Sequence, residues 1–361
     1  MNRARPAICL NMIVRNESAV IDRCLASVLP FIDSWVIVDT GSTDGTQDRV
    51  RTHLQSKPGE LHERPWKNFG HNRTEAVELA RGKADYLFFI DADETLELPS
   101  GFERPGLKAD GYYLDCRFDG TTYARCALVA DRLPWRWEGT VHEFLTCPQP
   151  FALQTLAGPA IVVSHDGARS RDPLTYLRDA ALLEEALRAN PDSTRDVFYL
   201  AQSYRDAGEL ARSRDLYRRR AAMGGWDEEV WYSLHQAAVL NERLGAQHAE
   251  VSSGYLRAFQ HRPTRAEPLV QLARYHRQRD EFAVAYLYAQ HAAALTKPQD
   301  LLFVDDAAYG WRALDELSIS AFYAGHQEEG RAALRQLLAQ NQFPESERAR
   351  ILANRKFYEP P

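Results

Sequence analysis

The sequence predicts an α/β domain built on a mostly parallel sheet, followed by an all-α repeat domain. Three observations carry this. Through the first half, short apolar runs alternate with amphipathic stretches, the strand–helix–strand order of a parallel sheet with right-handed crossovers. Several of these runs end abruptly in polar clusters. From about Asp172 onward the pattern is helical throughout. A chain of 361 residues has room for two cores, and the change of pattern places the boundary between residues 171 and 172.

The net charge of −6 argues against a general nucleic-acid binder. Cys9, Cys24, Cys116, Cys126 and Cys147 are odd in number and contain no Cys-x-x-Cys pair, as expected of reduced thiols in a cytosolic protein. The N-terminal apolar run is interrupted by Asn11 and too short for a signal peptide. No later run approaches the roughly 20 apolar residues of a membrane span. The expectation is a cytoplasmic protein without a transmembrane segment, with room for peripheral attachment at the inner face of the membrane.

Ala7–Val14 reads as the first strand, and the polar turn Arg15–Ser18 precedes a helix over Ala19–Leu29 that Pro30 stops. Trp35–Val38 is the second strand and ends in Asp39. The small-residue loop Thr40–Thr46 follows, with Asp44 or Thr43 placed to cap the next helix. Leu61–Arg64 reads as a short third strand, and Phe69–Arg81 as a helix ended by Gly82. The run Tyr86–Ile90 then leads straight into Asp91-Ala92-Asp93-Glu94. Strand alternation sends Asp91 and Asp93 to one side. Two carboxylates at a strand end can hold a divalent cation and leave its other positions to phosphate oxygens. Open α/β sheets bind ligands at this end of their strands.

Val38-Asp39-Thr40-Gly41-Ser42-Thr43-Asp44-Gly45-Thr46, then Asn72 near a helix start, then Ile90-Asp91-Ala92-Asp93-Glu94 resembles the family 2 glycosyltransferases of GT-A fold. Met12-Ile13-Val14-Arg15-Asn16-Glu17 fits the same pattern, and the resemblance extends over about residues 7–165. It implies a nucleotide-sugar site that includes Val14, Arg15, Asn16, Asp39, Asn72, Arg73, Asp91 and Ala92. Asp39 is placed to accept a hydrogen bond from a nucleotide base, which with uracil N3–H favours a UDP-sugar. Arg15 and Asn16 correspond to base or ribose contacts. Asn72 and Arg73 can face the diphosphate. Asp93 is the direct ligand of Mn²⁺ or Mg²⁺, with Asp91 on the ribose or the metal. Glu17 reads as a first-turn helix acid.

Gly111–Phe118 and Thr121–Val129 read as further strands. The segment Trp135–Phe144 then sets two tryptophans beside Glu138 and the pair His142-Glu143. Its Gly-x-Val-His-Glu pattern is similar to segments of bacterial family members that carry helical repeats. Aromatic faces stack on sugar rings, so Trp137 and His142 are the acceptor-binding candidates. An inverting transferase needs a carboxylate base; Glu143 is the first candidate and Glu138 the second. A structural hairpin is the competing reading. Ala160–Ser164 is another buried strand, and His165 at its end matches the family's late histidine that completes a metal shell. Arg169-Ser170-Arg171 reads as a solvated connection.

In the second half, turns at Ala207-Gly208, Leu244-Gly245, Arg279-Asp280 and Ala324-Gly325 recur at roughly 35 to 45 residues, near the period of tetratricopeptide repeats. Trp231, Ala237, Leu269, Ala273 and Tyr286 fit the packing of helix pairs, and Asn354–Tyr358 is expected to dock an end. The whole reads as a metal-dependent, inverting glycosyltransferase of cell-envelope glycan synthesis. Its helical repeats recruit a glycan, lipid-linked or protein acceptor and leave room for a homodimer. The alternative is a catalytically inactive scaffold that binds protein through its repeats.

Overall fold

A computed structural model describes residues 5–118, 121–164 and 166–358. The chain divides into two compact units, Met1–Ala189 and Asn190–Pro361. The first unit therefore runs past residue 171 and includes the helix over Thr175–Ala189.

In chain order the first unit comprises β1 (Ile8–Val14), α1 (Ile21–Val28), β2 (Ser34–Asp39), α2 (Thr46–Leu54), β3 (Gly59–Glu63), α3 (Phe69–Ala80), β4 (Tyr86–Phe89), β5 (Thr95–Glu97), β6 (Gly111–Phe118), β7 (Thr121–Ala130), β8 (Arg136–Glu138), β9 (Phe144–Thr146), β10 (Leu153–Val162), α4 (Ala168–Arg171) and α5 (Thr175–Ala189). Eight strands form one sheet in the order β3-β2-β1-β4-β7-β6-β10-β5. The half from β3 to β4 is parallel, and β6 pairs with β10 in parallel. β7 runs antiparallel between β4 and β6, and β5 closes the far edge antiparallel to β10.

Both faces of the central strands are covered, which is why their sequences are near-continuously apolar. Ile8, Leu10 and Met12 pack with Phe88 against Ile21, Leu25 and Val28 of α1. Cys9, Leu87 and Phe89 face the other way, toward Val77 and Ala80 of α3. Asn11, the polar interruption of β1, is buried and donates through Nδ2 to Ala76 O at 2.8 Å. Register pairs Val14 with Asp39 and Asn11 with Phe89. The ends of β1, β2 and β4 thus lie side by side. Strands β8 and β9 form a separate hairpin. Its turn packs so closely on α3 that a Cβ at Gly70 would lie 2.4 Å from Gly139 O.

The second unit is a run of helix pairs: α6 (Thr194–Asp206) with α7 (Leu210–Ala222), α8 (Asp227–Arg243) with α9 (His248–His261), α10 (Glu267–Arg277) with α11 (Phe282–Ala294), and α12 (Ala313–Tyr323) with α13 (Gln327–Gln340), closed by α14 (Glu345–Ala353). The turns fall where the sequence places them. Trp231, Ala237, Leu269, Ala273 and Tyr286 are all buried, so the aromatic and leucine stripes are core. Tyr358 docks its hydroxyl on Ser318 O and seals the end. Among the described residues no helix is long and apolar enough to cross a membrane.

Candidate active site

The aligned strand ends open into a cleft of about 690 Å³. Val14, Arg15 and Asn16 line it from the end of β1, and Arg73 from α3. Asp91, Ala92 and Asp93 enter from the exit of β4, and His142 and Glu143 from the β8–β9 turn. The structure therefore brings together nine of the predicted site residues.

The loops after β1 and β2 are laced to each other. Asn16 N donates to Ser42 Oγ (2.9 Å), Glu17 N to Thr46 Oγ1 (2.9 Å) and Ser18 N to Asp44 Oδ2 (3.0 Å), while Thr43 N donates to Asn16 Oδ1 (2.8 Å). Asp44 is thus a latch between loops as well as a local turn residue. Burial raises its pKa, but hydrogen bonds from Thr46 and Ser18 outweigh this and hold it at about 2. Asp39 is fully buried just behind Thr40, which lines the cleft. Its Oδ1 accepts from Gly41 N (2.9 Å) and Ser42 N (2.8 Å), while Oδ2 is buried without a hydrogen-bond partner.

The charged floor of the cleft is organised by Arg73. It donates through Nη2 to Asp91 Oδ1 and through Nε to Glu143 Oε1, both at 2.6 Å. Burial raises the Asp91 pKa, but Arg73 and then Arg125 hold it below the usual carboxylate value. Glu94 is buried against Arg125, with contacts of 2.5 and 2.9 Å, and braces the turn by accepting from Asp91 N at 3.0 Å. Asp93 differs: among the described residues it has no ion-pair partner, and burial followed by the neighbouring Asp91 raises its pKa. A cation would relieve that repulsion. The carboxylate donor set fits a hard divalent ion, although Asp91 is already shared with Arg73.

The segment after β10 is tied to this floor. Asp93 O accepts from Arg23 Nη2 at 2.9 Å, and Arg23 also pairs with Asp166. Ala168 N donates to Glu17 Oε2 at 3.0 Å. A Cβ at Gly167 would lie 2.7 Å from Asp93 Oδ2, so only glycine permits this approach. His165 itself lies outside the described residues. Glu17 is more than a helix acid: it lines the cleft, and burial pushes it up to about 7.

Four predicted residues are placed elsewhere. Asn72 is fully buried beneath the loop before α3. Its Oδ1 accepts from Lys67 N (2.9 Å) and its Nδ2 donates to Pro65 O (3.1 Å), so its amide shapes that loop. Trp137 packs edge-on against Phe89 at 5.2 Å with Arg73 5.3 Å from its ring centre, and its Nε1 is buried. It backs the arginine and does not line the cleft. Glu138 pairs with Arg136 outside the cleft. Asp39, as noted, stands one residue behind the lining.

The sequence reading missed one wall. Arg169 is exposed, as a solvated connection would be, yet it lies in α4, pairs with Asp179 of α5 at 2.8 and 3.0 Å, and sits 4.6 Å over the Phe69 ring. Phe69 meets Trp66 edge-to-face at 4.7 Å, and all four side chains line the cleft. The signal available was Trp66-Lys67-Asn68-Phe69, two aromatics flanking a helix cap, with Asn68 Oδ1 accepting from His71 N.

Residues 9–98, from β1 through β5, match the model of glycosyl transferase family 2. A TPR repeat-containing protein of Synechococcus elongatus is 29% identical over 317 residues, covering 81% of this chain and 77% of that protein. The SPbeta prophage-derived glycosyltransferase SunS of Bacillus subtilis is 35% identical over 89 residues, 24% of this chain and 20% of SunS. Among solved structures, MamA is similar over 49% of this chain and 92% of its own, at 12% identity and a TM-score of 0.37.

Proposed function

We propose that this chain is a glycosyltransferase, on the premise that residues 9–98 form a glycosyl transferase family 2 domain. The observation that carries the reading is the unequal pair at the exit of β4. Asp91 is neutralised by Arg73, while the Asp93 carboxylate stands beside it in the cleft without an ion-pair partner among the described residues. In this reading the cleft takes a nucleotide-sugar donor. Asp39 Oδ2, buried without a partner one residue behind the lining, is the acceptor offered to the base once Thr40 yields, which favours a UDP-sugar, and Arg15 and Asn16 contact base or ribose. Asp93, with Asp91 behind it, would hold Mn²⁺ or Mg²⁺, whose charge stabilises the leaving nucleoside diphosphate.

Arg73 orients Asp91 and Glu143 together. Glu143 is the base for an inverting displacement: it takes the proton of the acceptor nucleophile as that atom attacks the sugar. Its contact with Arg73 has to loosen as it does so. Glu143→Gln should lower kcat while leaving donor KM nearly unchanged, because the base acts only at the attack step. A kcat equal to that of the parent removes Glu143 from the role. His142 and the Trp66–Phe69 wall face the space left for the acceptor. The helical unit recruits that acceptor, a glycan, lipid-linked or protein molecule.

Calorimetry with UDP, with and without Mn²⁺, tests the proposal directly. Metal-strengthened UDP binding is expected. The competing reading, a scaffold that has lost transferase chemistry, draws on the TPR repeat-containing relative and predicts no UDP binding under either condition.

A further inference from the structure

The turns joining the helix pairs of the second unit bring together three side chains that the transferase reading does not use. His248 opens α9, His276 lies in the last turn of α10, and Glu281 immediately precedes α11. A ring nitrogen of each histidine and a carboxylate oxygen of Glu281 all lie within 4.8 Å of one another. The two imidazoles meet edge to face, with centroids 5.2 Å apart.

His276 is the fixed member of the group. It is only 5% exposed, and the rings of Tyr275 and Tyr288 lie 5.8 and 5.5 Å from it. Its Nδ1 hydrogen-bonds Glu281 Oε2, while Nε2 is buried without a hydrogen-bond partner. Buried polar atoms are normally satisfied. The contact with Glu281 accounts for one nitrogen only, and it makes no use of His248.

We propose that His248, His276 and Glu281 form a binding site for a divalent transition-metal ion, with Zn²⁺ as the ion that suits the donors. Two imidazoles and one carboxylate are a borderline set, favouring Zn²⁺ over the harder Mg²⁺ or Mn²⁺. Tetrahedral zinc needs its donors roughly 3.3 Å apart, given bonds of about 2.0 Å. His248 is exposed and the Glu281 side chain is 40% exposed, so both have the freedom to close the present spacing around buried His276. Water completes the shell. The ligands come from the start of α9 and from the corner between α10 and α11, so the ion ties one helix pair to the next. In a repeat array, whose stability sums over neighbouring interfaces, such a clip strengthens one junction.

The test uses the full chain, stripped with a chelator, freed of it, and titrated with ZnCl₂ by calorimetry alongside thermal melts. One site is expected, with a Tm that rises as Zn²⁺ is added. His248→Ala should weaken Zn²⁺ binding by about tenfold or more and abolish the Tm shift, with an unchanged circular dichroism spectrum. Glu281→Gln, a second surface-reachable change, should weaken binding in the same direction. Mn²⁺ should give no signal that depends on His248. The proposal is overturned if Zn²⁺ does not bind, or if it binds equally well to the parent and to both variants.

Discussion

Arg73 Nε lies 2.6 Å from Glu143 Oε1, so a helix residue and a hairpin-turn residue 70 positions apart are joined across the cleft floor. Both side chains are largely buried, at 13% and 12% exposure, and the same guanidinium also neutralises Asp91. Removing one partner of a buried pair strands the other charge. Arg73→Met should therefore destabilise the first unit by about 3 kcal/mol in urea melts. Adding Glu143→Leu should restore part of that loss, because replacing both partners by apolar groups leaves less charge buried. If the double variant is less stable than Arg73→Met alone, the pair is not the source of the loss.

Asp93→Asn should erase the metal dependence of UDP binding. A neutral amide is a poor ligand for a hard cation. The parent is expected to bind UDP more tightly with Mn²⁺, and the variant equally with and without it. A retained Mn²⁺ effect would move the ligand elsewhere.

Asp39→Asn is the informative change at the end of β2. Asp39→Ala would also remove the acceptor that holds Gly41 N and Ser42 N, confusing turn stability with recognition. Asparagine keeps one acceptor oxygen and turns the other position into a donor, facing a base N–H that needs an acceptor. UDP affinity should fall by roughly ten- to a hundredfold. An unchanged Kd would detach Asp39 from the base.

Glu17→Gln should change the pH dependence of stability. Folded Glu17 keeps its proton up to about pH 7 because it is buried, whereas the ordinary carboxylate value is 4.5. Between those values the folded state binds more protons than the unfolded one, so this group's contribution falls as pH rises, and the deficit is complete above about pH 7. Gln titrates nowhere in this range and can still accept from Ala168 N. The variant should gain stability relative to the parent from pH 5 to pH 8, read from urea midpoints. A constant difference across that range would contradict the buried-acid account.

The parts legible in the sequence were those written locally. Apolar runs marked β1, β2 and β4, their polar exits marked Asp39, Asp91 and Asp93, and Gly208, Gly245 and Gly325 marked helix-pair turns. What escaped depended on distant partners. Asn72 and Trp137 look like ligand contacts until the loop before α3 and the β8–β9 hairpin claim them. Glu138 and Glu143 are equivalent as letters, but strand pairing sends one to Arg136 and the other to Arg73. The wall made by Arg169 and Asp179 needs α5 to fold against the sheet unit, and no motif spacing encodes that. The edge strand β5 is three residues long and, among the described residues, pairs with β10 alone, so its pattern is too short to read.

The lacing between the two loops after β1 and β2 has a thermodynamic consequence. Each of the four cross-loop contacts is made between the chain's own groups, so the ordering of these loops draws on no contact with a nucleotide. A nucleotide arriving at this side of the cleft meets a preformed mould. Little of its binding energy is diverted into ordering backbone. Hydrogen exchange at Asn16, Glu17, Ser18 and Thr43 should accordingly be slow in the free protein and change little when UDP is added.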